Sequence, residues 1–341
     1  MIKSLSFFCL LIFLNHGFHS PDTFKIDLDL PPEERFRDVI LSKKEEIKSF
    51  ADIFLDTLPS VLLDNLKYLE PIVSQHQEFY HELLGVAKYA NISFEEAFAF
   101  NLIYEILASC TSIVSIDKHG NIIHGRNLDY PYGEYISTFL VRLEFYRNGT
   151  LMYEGDGNAG FLGLVTGLKR NKFAISLNQR ESDQNSNETF LSFVENKTLP
   201  IPYIIRNVLE NANDYKTAVN KLSKEAFAAN AYIIVSGINK KEGVVITRDR
   251  NKVYNISNIN EENENWFLVQ TNYDRDVQDP AYDSRRLPAE ERIRNIGLEN
   301  MDLDKLYNDV MSLFPNNNSI TISSSVICAK TGEFNTTIWR D

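Results

Sequence analysis

Ser109-Cys110-Thr111-Ser112-Ile113-Val114-Ser115-Ile116-Asp117-Lys118-His119-Gly120-Asn121-Ile122-Ile123-His124-Gly125-Arg126-Asn127-Leu128-Asp129-Tyr130-Pro131 is the stretch on which the chain changes character. Residues 111–117 are β-branched and strand-like, Lys118-His119-Gly120-Asn121 is turn-forming, and 122–124 starts a returning strand. Cys110 therefore stands where a helical region gives way to the first strand of a hairpin. On its residues alone, a cysteine in that place is either a small buried hydrophobe or a nucleophile that needs a base.

Upstream, from 31 to about 108, the pattern is helical. Ile47, Phe50, Ile53, Phe54 and Leu58 recur at three- and four-residue steps, as do Val61, Leu62, Leu66, Leu69 and Ile72. Pro59 and Pro71 divide the run, and Ser93 with Glu96 forms a capping-box pair opening a helix over 94–108. The apolar stretch 47–73 is either helix packing or a surface that docks on lipid. Downstream, strands are expected over 136–145, 162–166 and 173–177, helical pattern over 201–225, and strands again over 231–236, 243–247, 252–255, 266–271, 320–329 and 334–339. Strand runs separated by one helical layer give an α+β fold, antiparallel sheets packed with helices.

Lys3 precedes an apolar run over 5–14, followed by small and polar residues through Gly17 and Ser20. That is the layout of a signal peptide over 1–20; the run falls short of the roughly 20 apolar residues of a membrane span. Lysosomal or secreted residence follows. Glycosylation candidates are the sequons at Asn91, Asn148, Asn187, Asn196, Asn255, Asn317 and Asn335. A formal charge of −12 argues against a nucleic-acid partner. Once Cys9 leaves with the signal, Cys110 and Cys328 remain. They are too few for a disulfide-stapled small domain, and form either one bridge or an unpaired cysteine with a chemical task.

Two motifs are discarded. Gly155-Asp156-Gly157-Asn158-Ala159-Gly160 fits G-x-G-x-x-G, but glycine-rich, strand-like Phe161-Leu162-Gly163-Leu164-Val165 follows where a helix should open, so a loop is expected. His76 and His81 are five residues apart, off the spacing that puts two ligands on one helix face, and no Cys/His/carboxylate cluster completes a site. Neither metal nor organic cofactor is expected. In the strand-rich part the histidines are His119 and His124, few candidate bases for a Ser-His-Asp triad. A cysteine nucleophile without a histidine needs another base. The α-amino group freed by cutting Ser109–Cys110, with a reference pKa of about 7.7–8.0, would serve.

Cys110-Thr111-Ser112-Ile113-Val114 followed by His124-Gly125-Arg126-Asn127-Leu128-Asp129-Tyr130-Pro131 resembles the acid ceramidase and N-acylethanolamine acid amidase family. The resemblance continues through Gly160–Gly163, Ser176-Leu177-Asn178-Gln179-Arg180, Glu242–Arg248, Gln270-Thr271-Asn272-Tyr273-Asp274 and Asp283-Ser284-Arg285-Arg286. It implies an N-terminal-nucleophile hydrolase with an αββα sandwich. Residues 21–109 would be a helical α subunit or propeptide, and 110–341 a catalytic β subunit starting at the nucleophile. It implies further that Cys110 is both nucleophile and autocleavage point with Ser109, that Arg126 and Asp129 flank the new amine, that Asn272 serves the oxyanion hole, and that Arg285 is a second active-site arginine. Gln179 departs from the family's usual glutamate, removing a negative charge near the nucleophile, and the cysteines that link acid ceramidase's subunits are absent.

The implied reaction is hydrolysis of a fatty-acid amide lipid. Residues 230–234, 245–250 and 270–275 resemble acid ceramidase, whereas the missing cysteines resemble the amidase; ceramide is the favoured substrate and an N-acylethanolamine the alternative. Both lie in membranes, so contact with a membrane surface and a saposin-type activator are expected partners. From another class, the chain would be a lipid-binding pseudoenzyme disabled at Gln179.

Overall fold

The computed structural model describes residues 19–57, 66, 68–102, 109–180, 193, 197–260 and 265–339. Residues 1–18 of the expected signal peptide, and residues 58–65, 67 and 103–108 of the helical region, lie outside them.

The hairpin forms as its residues dictate. Strands β2 (Ser109–Ile116) and β3 (Ile122–Asp129) are antiparallel, with Cys110 opposite Leu128 and Ser112 opposite Arg126. Asp117 Oδ1 accepts from the backbone amides of His119 and Asn121, both at 2.8 Å, and Gly120 takes a φ of +77°, so side chain and glycine together close the turn. Strand β11 (Phe267–Gln270) pairs with β2, β12 (Thr321–Cys328) with β3, and β13 (Glu333–Ile338) with β12, giving a five-stranded sheet in the order β11-β2-β3-β12-β13.

The second sheet has eight strands in the order β1 (Asp22–Asp27), β4 (Leu140–Arg147), β5 (Thr150–Asn158), β6 (Thr166–Lys169), β7 (Phe173–Gln179), β8 (Ala231–Ser236), β9 (Gly243–Arg248) and β10 (Val253–Asn258). All its pairings are antiparallel except β1 with β4. The sheets meet face to face where Val114, Ile116 and Ile122 pack on Tyr232, Ile234 and Val245. Helix Arg286–Ile296 covers the far face of the first sheet, through Ala289 and Ile293 against Ile113 and Val269. The helices before residue 101, with Ile201–Asn211, cover the second. The central strands are therefore covered on both faces, and β2, β3 and β12 are buried nearly throughout. The fold is α+β, an αββα sandwich with an N-terminal helical region.

Several elements differ from expectation. Strand β1 reads polar because it is an edge strand, and its hydrogen bonds to β4 supply what its sequence does not advertise. Gly155, Asp156 and Gly157 lie within β5, not in a loop: a Cβ on Gly155 would sit 2.6 Å from the Thr166 carbonyl, so glycine permits the β5–β6 approach. The strand expected over 162–166 begins only at Thr166, and that over 136–145 begins at Leu140 after a helical turn. The pattern over 201–225 is two helices, Ile201–Asn211 and Tyr215–Lys224. The helix opened by the Ser93–Glu96 capping box ends at Phe100; Asn101 turns its side chain onto Ala97 O, Gly160 O and Leu162 N instead. Helix Arg286–Ile296 carried no recognised signal.

Within 47–73 six apolar side chains take the packing reading, whereas Tyr68 is exposed and residues 58–65 and 67 lie outside the described residues. Ile47, Phe50, Phe54, Leu66, Leu69 and Val73 are buried in the core, with Phe50 against Phe100 and Phe139. Among the described residues no helix is long and apolar enough to cross a membrane.

Candidate active site

Cys110 is the second residue of β2 and its side chain is wholly buried. Its backbone N–H donates to Asn272 Oδ1 at 2.8 Å. Asn272 lies just beyond β11, and its Nδ2 donates to the Gln179 carbonyl at 2.7 Å. Arg285 Nη2 donates to the same Asn272 Oδ1 at 2.7 Å, while its Nη1 reaches Asp129 Oδ2 at 2.7 Å. Asp283 takes the rest of the guanidinium, and Thr321 Oγ1 donates to Asp129 Oδ1 at 2.7 Å. Cys110, Asn272, Arg285 and Asp129 are thus one bonded set around the Ser109–Cys110 peptide. On one side a cleft of about 460 Å³ reaches it, lined by Ser109, Tyr273, Asp283 and Arg285, with the strongly exposed Tyr282 and Phe314 at its rim.

Arg126 and Asp129 do not sit together. Odd spacing on a strand sends them to opposite faces. Arg126 shares the intersheet face with Cys110, where its Nη1 donates to Asn178 Oδ1 at 3.0 Å, and Asp129 meets Arg285 on the other. For Asn272, expected as the oxyanion donor, Nδ2 donates to the Gln179 carbonyl and Oδ1 accepts from the Cys110 backbone nitrogen. The Gln179 contact runs through the backbone, so it survives whether residue 179 carries an amide or a carboxylate.

Burial pushes the Asp129 carboxyl above the ordinary aspartate range, with Arg285, Thr321 and Arg126 pulling the other way. Burial works against the Arg285 charge too, but its bonds to Asp283 and its attraction to Asp129 and Cys110 raise it above an ordinary arginine. The positive charge beside Cys110 is therefore permanent.

The sequence reading passed over Asn178 and Thr321. Asn178 Nδ2 lies against the carbonyls of Cys110 (3.4 Å), Gln270 (2.9 Å) and Thr271 (3.2 Å), tying the Cys110 strand to the segment that carries Asn272. Its place inside Ser176-Leu177-Asn178-Gln179-Arg180 was the available signal. His76 and His81 take separate partners, the Lys197 carbonyl at 2.9 Å and the Glu33 carboxylate at 2.8 Å. Cys110 and Cys328 are both free thiols, so the two form no bridge. Sequon asparagines Asn91, Asn148, Asn255 and Asn335 are exposed and Asn317 is half-buried; Asn187 and Asn196 lie outside the described residues.

A family model for linear amide C–N hydrolases of the choloylglycine hydrolase family matches residues 110–289. A model described as the beta subunit of N-acylethanolamine-hydrolyzing acid amidase matches 19–84. N-acylethanolamine-hydrolyzing acid amidase of Rattus norvegicus is 34% identical, over 91% of this chain and 86% of that protein. Acid ceramidase of Homo sapiens is 31% identical, over 92% and 85%. The solved structure of the Caenorhabditis elegans N-acylethanolamine-hydrolyzing acid amidase ortholog superposes with a TM-score of 0.60 at 37% identity, covering 64% of this chain and 93% of that one.

Proposed function

The chain belongs to the acid ceramidase and N-acylethanolamine-hydrolyzing acid amidase family of linear amide C–N hydrolases, and from that premise we propose that Cys110 is its nucleophile, generated when the chain cuts itself before that residue. One observation carries this reading: the Cys110 nitrogen is held by Asn272, which Arg285 bridges to Asp129, at the inner end of a cleft that Ser109 lines. The matched hydrolase segment also begins at residue 110.

In self-cleavage the Cys110 thiolate adds to the Ser109 carbonyl carbon. The C–N bond breaks, the Cys110 nitrogen takes a proton and leaves as an amine, and a thioester joins Ser109 to Sγ. Water then hydrolyses that thioester to the Ser109 carboxylate and the free thiol. The amine remains where Asn272 Oδ1 holds it and acts as the base in later turnovers. It accepts the thiol proton as Sγ attacks a substrate amide, then passes it to the departing amine, and water hydrolyses the resulting thioester to the fatty acid and the free thiol. Arg285 and Arg126 favour the thiolate and the developing negative charge on the substrate oxygen. Residues 21–109 and 110–341 would be the two products of the cut.

The substrate class is a fatty-acid amide, and the exposed Tyr282 and Phe314 at the cleft rim suit an acyl chain or the membrane from which it comes. Ceramide is the substrate we favour, on the likeness of 230–234, 245–250 and 270–275 to acid ceramidase. The N-acylethanolamine reading draws on the lack of linking cysteines. The reaction is placed in the lysosome or outside the cell, after a signal peptide over 1–20, with a saposin-type activator as a partner by analogy. Hydrolysis of ceramide, N-palmitoylethanolamine and N-oleoylethanolamine by the acid-treated protein, assayed in parallel, tests the reading. Release of fatty acid from ceramide at the highest kcat/KM is expected; preference for an ethanolamide reverses the substrate assignment, and no release from any of them favours the lipid-binding pseudoenzyme.

A further inference from the structure

Between the two sheets, beside the candidate site, lies a chain of buried polar groups whose hydrogen positions can be deduced. Arg126 has only donors, so the Asn178 atom that its Nη1 meets at 3.0 Å is the amide oxygen. Asn178 Nδ2 therefore faces the carbonyls of Cys110, Gln270 and Thr271, which only accept. Ser112 Oγ stands 2.7 Å from that same amide oxygen and must give it its one proton. Ser176 Oγ, 2.8 Å from Ser112 Oγ, must then donate to Ser112. With its proton so engaged, Ser176 accepts from His124 Nε2 at 2.7 Å, which fixes the proton of the neutral ring on Nε2. His124 Nδ1 is left as an acceptor, and Ser236 Oγ, 3.0 Å away, donates to it. One direction of donation runs from Ser236 through His124, Ser176 and Ser112 to Asn178. All five are wholly buried.

We infer that His124, held as the neutral Nε2–H form, is a positioning residue for the nucleophile, acting through Ser176, Ser112 and Asn178. The ordered protons fix which end of the Asn178 amide faces the carbonyls of Cys110, Gln270 and Thr271. That amide in turn sets the spacing between the Cys110 strand and the segment carrying Asn272. A ring carrying its one proton on Nδ1 would leave Ser176 without its donor, and a ring protonated at both nitrogens would place a second buried positive charge near Arg126. This inference rests on Cys110 being the nucleophile.

Two substitutions separate positioning from packing. His124→Gln keeps an N–H near the Nε2 position, whereas His124→Asn retains polarity only near Nδ1. The expected result is a fall in kcat and in self-cleavage rate of about tenfold or more for His124→Asn, with KM within about twofold, and recovery to within about threefold of the original rate in His124→Gln. Equal losses in the two variants, or a loss confined to KM, would overturn the inference. Nitrogen-15 spectra of histidine-labelled protein, with the His124 signals assigned by their absence in His124→Gln, supply a readout on the original chain that is independent of activity. A protonated Nε2 and a bare Nδ1 are expected from neutral to mildly acidic pH, and a proton on Nδ1 would overturn the proton order. An original chain that neither cuts nor hydrolyses fails the nucleophile reading instead, and the spectrum distinguishes the two failures.

Discussion

Arg206 and Arg285 are both buried arginines bonded to carboxylates, yet they belong to different kinds of place. Arg206 makes a two-pronged ion pair with Glu82 at 2.6 and 2.7 Å, donates to the Leu162 carbonyl at 3.0 Å, and is boxed by the rings of Phe36, Phe145 and Tyr203. Arg285 bonds Asp129, Asp283 and Asn272, and one side of it lines the open cleft. Burial and a raised pKa are common to both; access to a cleft and contact with a reactive nitrogen's partner are not. Glu82 precedes the proposed cut and Arg206 follows it, so this sealed pair, with β1 hydrogen-bonded to β4, would hold the two products together without a disulfide. On the proposed reading, one arginine would secure the assembly and the other would face the chemistry.

The comparison can be broken in four ways. Cys110→Ala should abolish both self-cleavage and amide hydrolysis, seen as an uncut band and no fatty acid release at acid pH; turnover that persists shows another nucleophile. Glu82→Gln leaves the Arg206 charge without its partner and should cost about 3–5 kcal/mol of stability in urea titrations. Its kcat per folded molecule should stay within about twofold, and a large kcat loss would erase the distinction between the two arginines. Asn272→Ala should show the reverse balance: kcat lower by about 10²–10³-fold, the size of effect seen when one polar group is removed from a preorganised site, with a smaller stability cost of about 1–3 kcal/mol. A stability loss as large as that of Glu82→Gln would make Asn272 a structural residue.

The smallest effect concerns pH. Burial lowers His124 from 6.5 to about 3, with Arg126 adding to it. The unfolded chain therefore binds this proton between those values while the folded chain does not, and stability falls as pH falls through that window. His124→Gln should remove about 2–3 kcal/mol of the loss between pH 6.5 and about pH 4.5. An unchanged pH dependence of the urea midpoint would mean that the ring takes up its proton in the fold.

How much of this was legible follows from where the signal lies. The β2–β3 hairpin could be read because its β-branched runs flank a turn with asparagine and glycine, and the sandwich because most strands carry continuous apolar runs. Strand β1 was hidden because an edge strand needs no apolar pattern, and Gly155–Gly157 because glycines that permit a close strand approach look like those of a loop. Helix Arg286–Ile296 carries five charged residues in eleven and buries little beyond Arg286, Ala289 and Ile293, so its periodicity is faint. For the site, motif order placed Cys110, Arg126, Asp129, Asn272 and Arg285. The odd spacing of Arg126 and Asp129 sends them to opposite faces once the returning strand is known to run on to Asp129, beyond the 122–124 read from sequence. That Asn272 turns its oxygen to the Cys110 nitrogen depends on contacts between segments far apart in sequence.

The central claim is a cut before Cys110 made by Cys110 itself. Mass spectrometry with N-terminal sequencing of the purified, acidified chain tests it directly. The account predicts a fragment of residues 110–341 that begins with a free cysteine, formed at a rate independent of protein concentration and absent in Cys110→Ala. A chain that stays whole while hydrolysing a fatty-acid amide, or one cut at another bond, would contradict it.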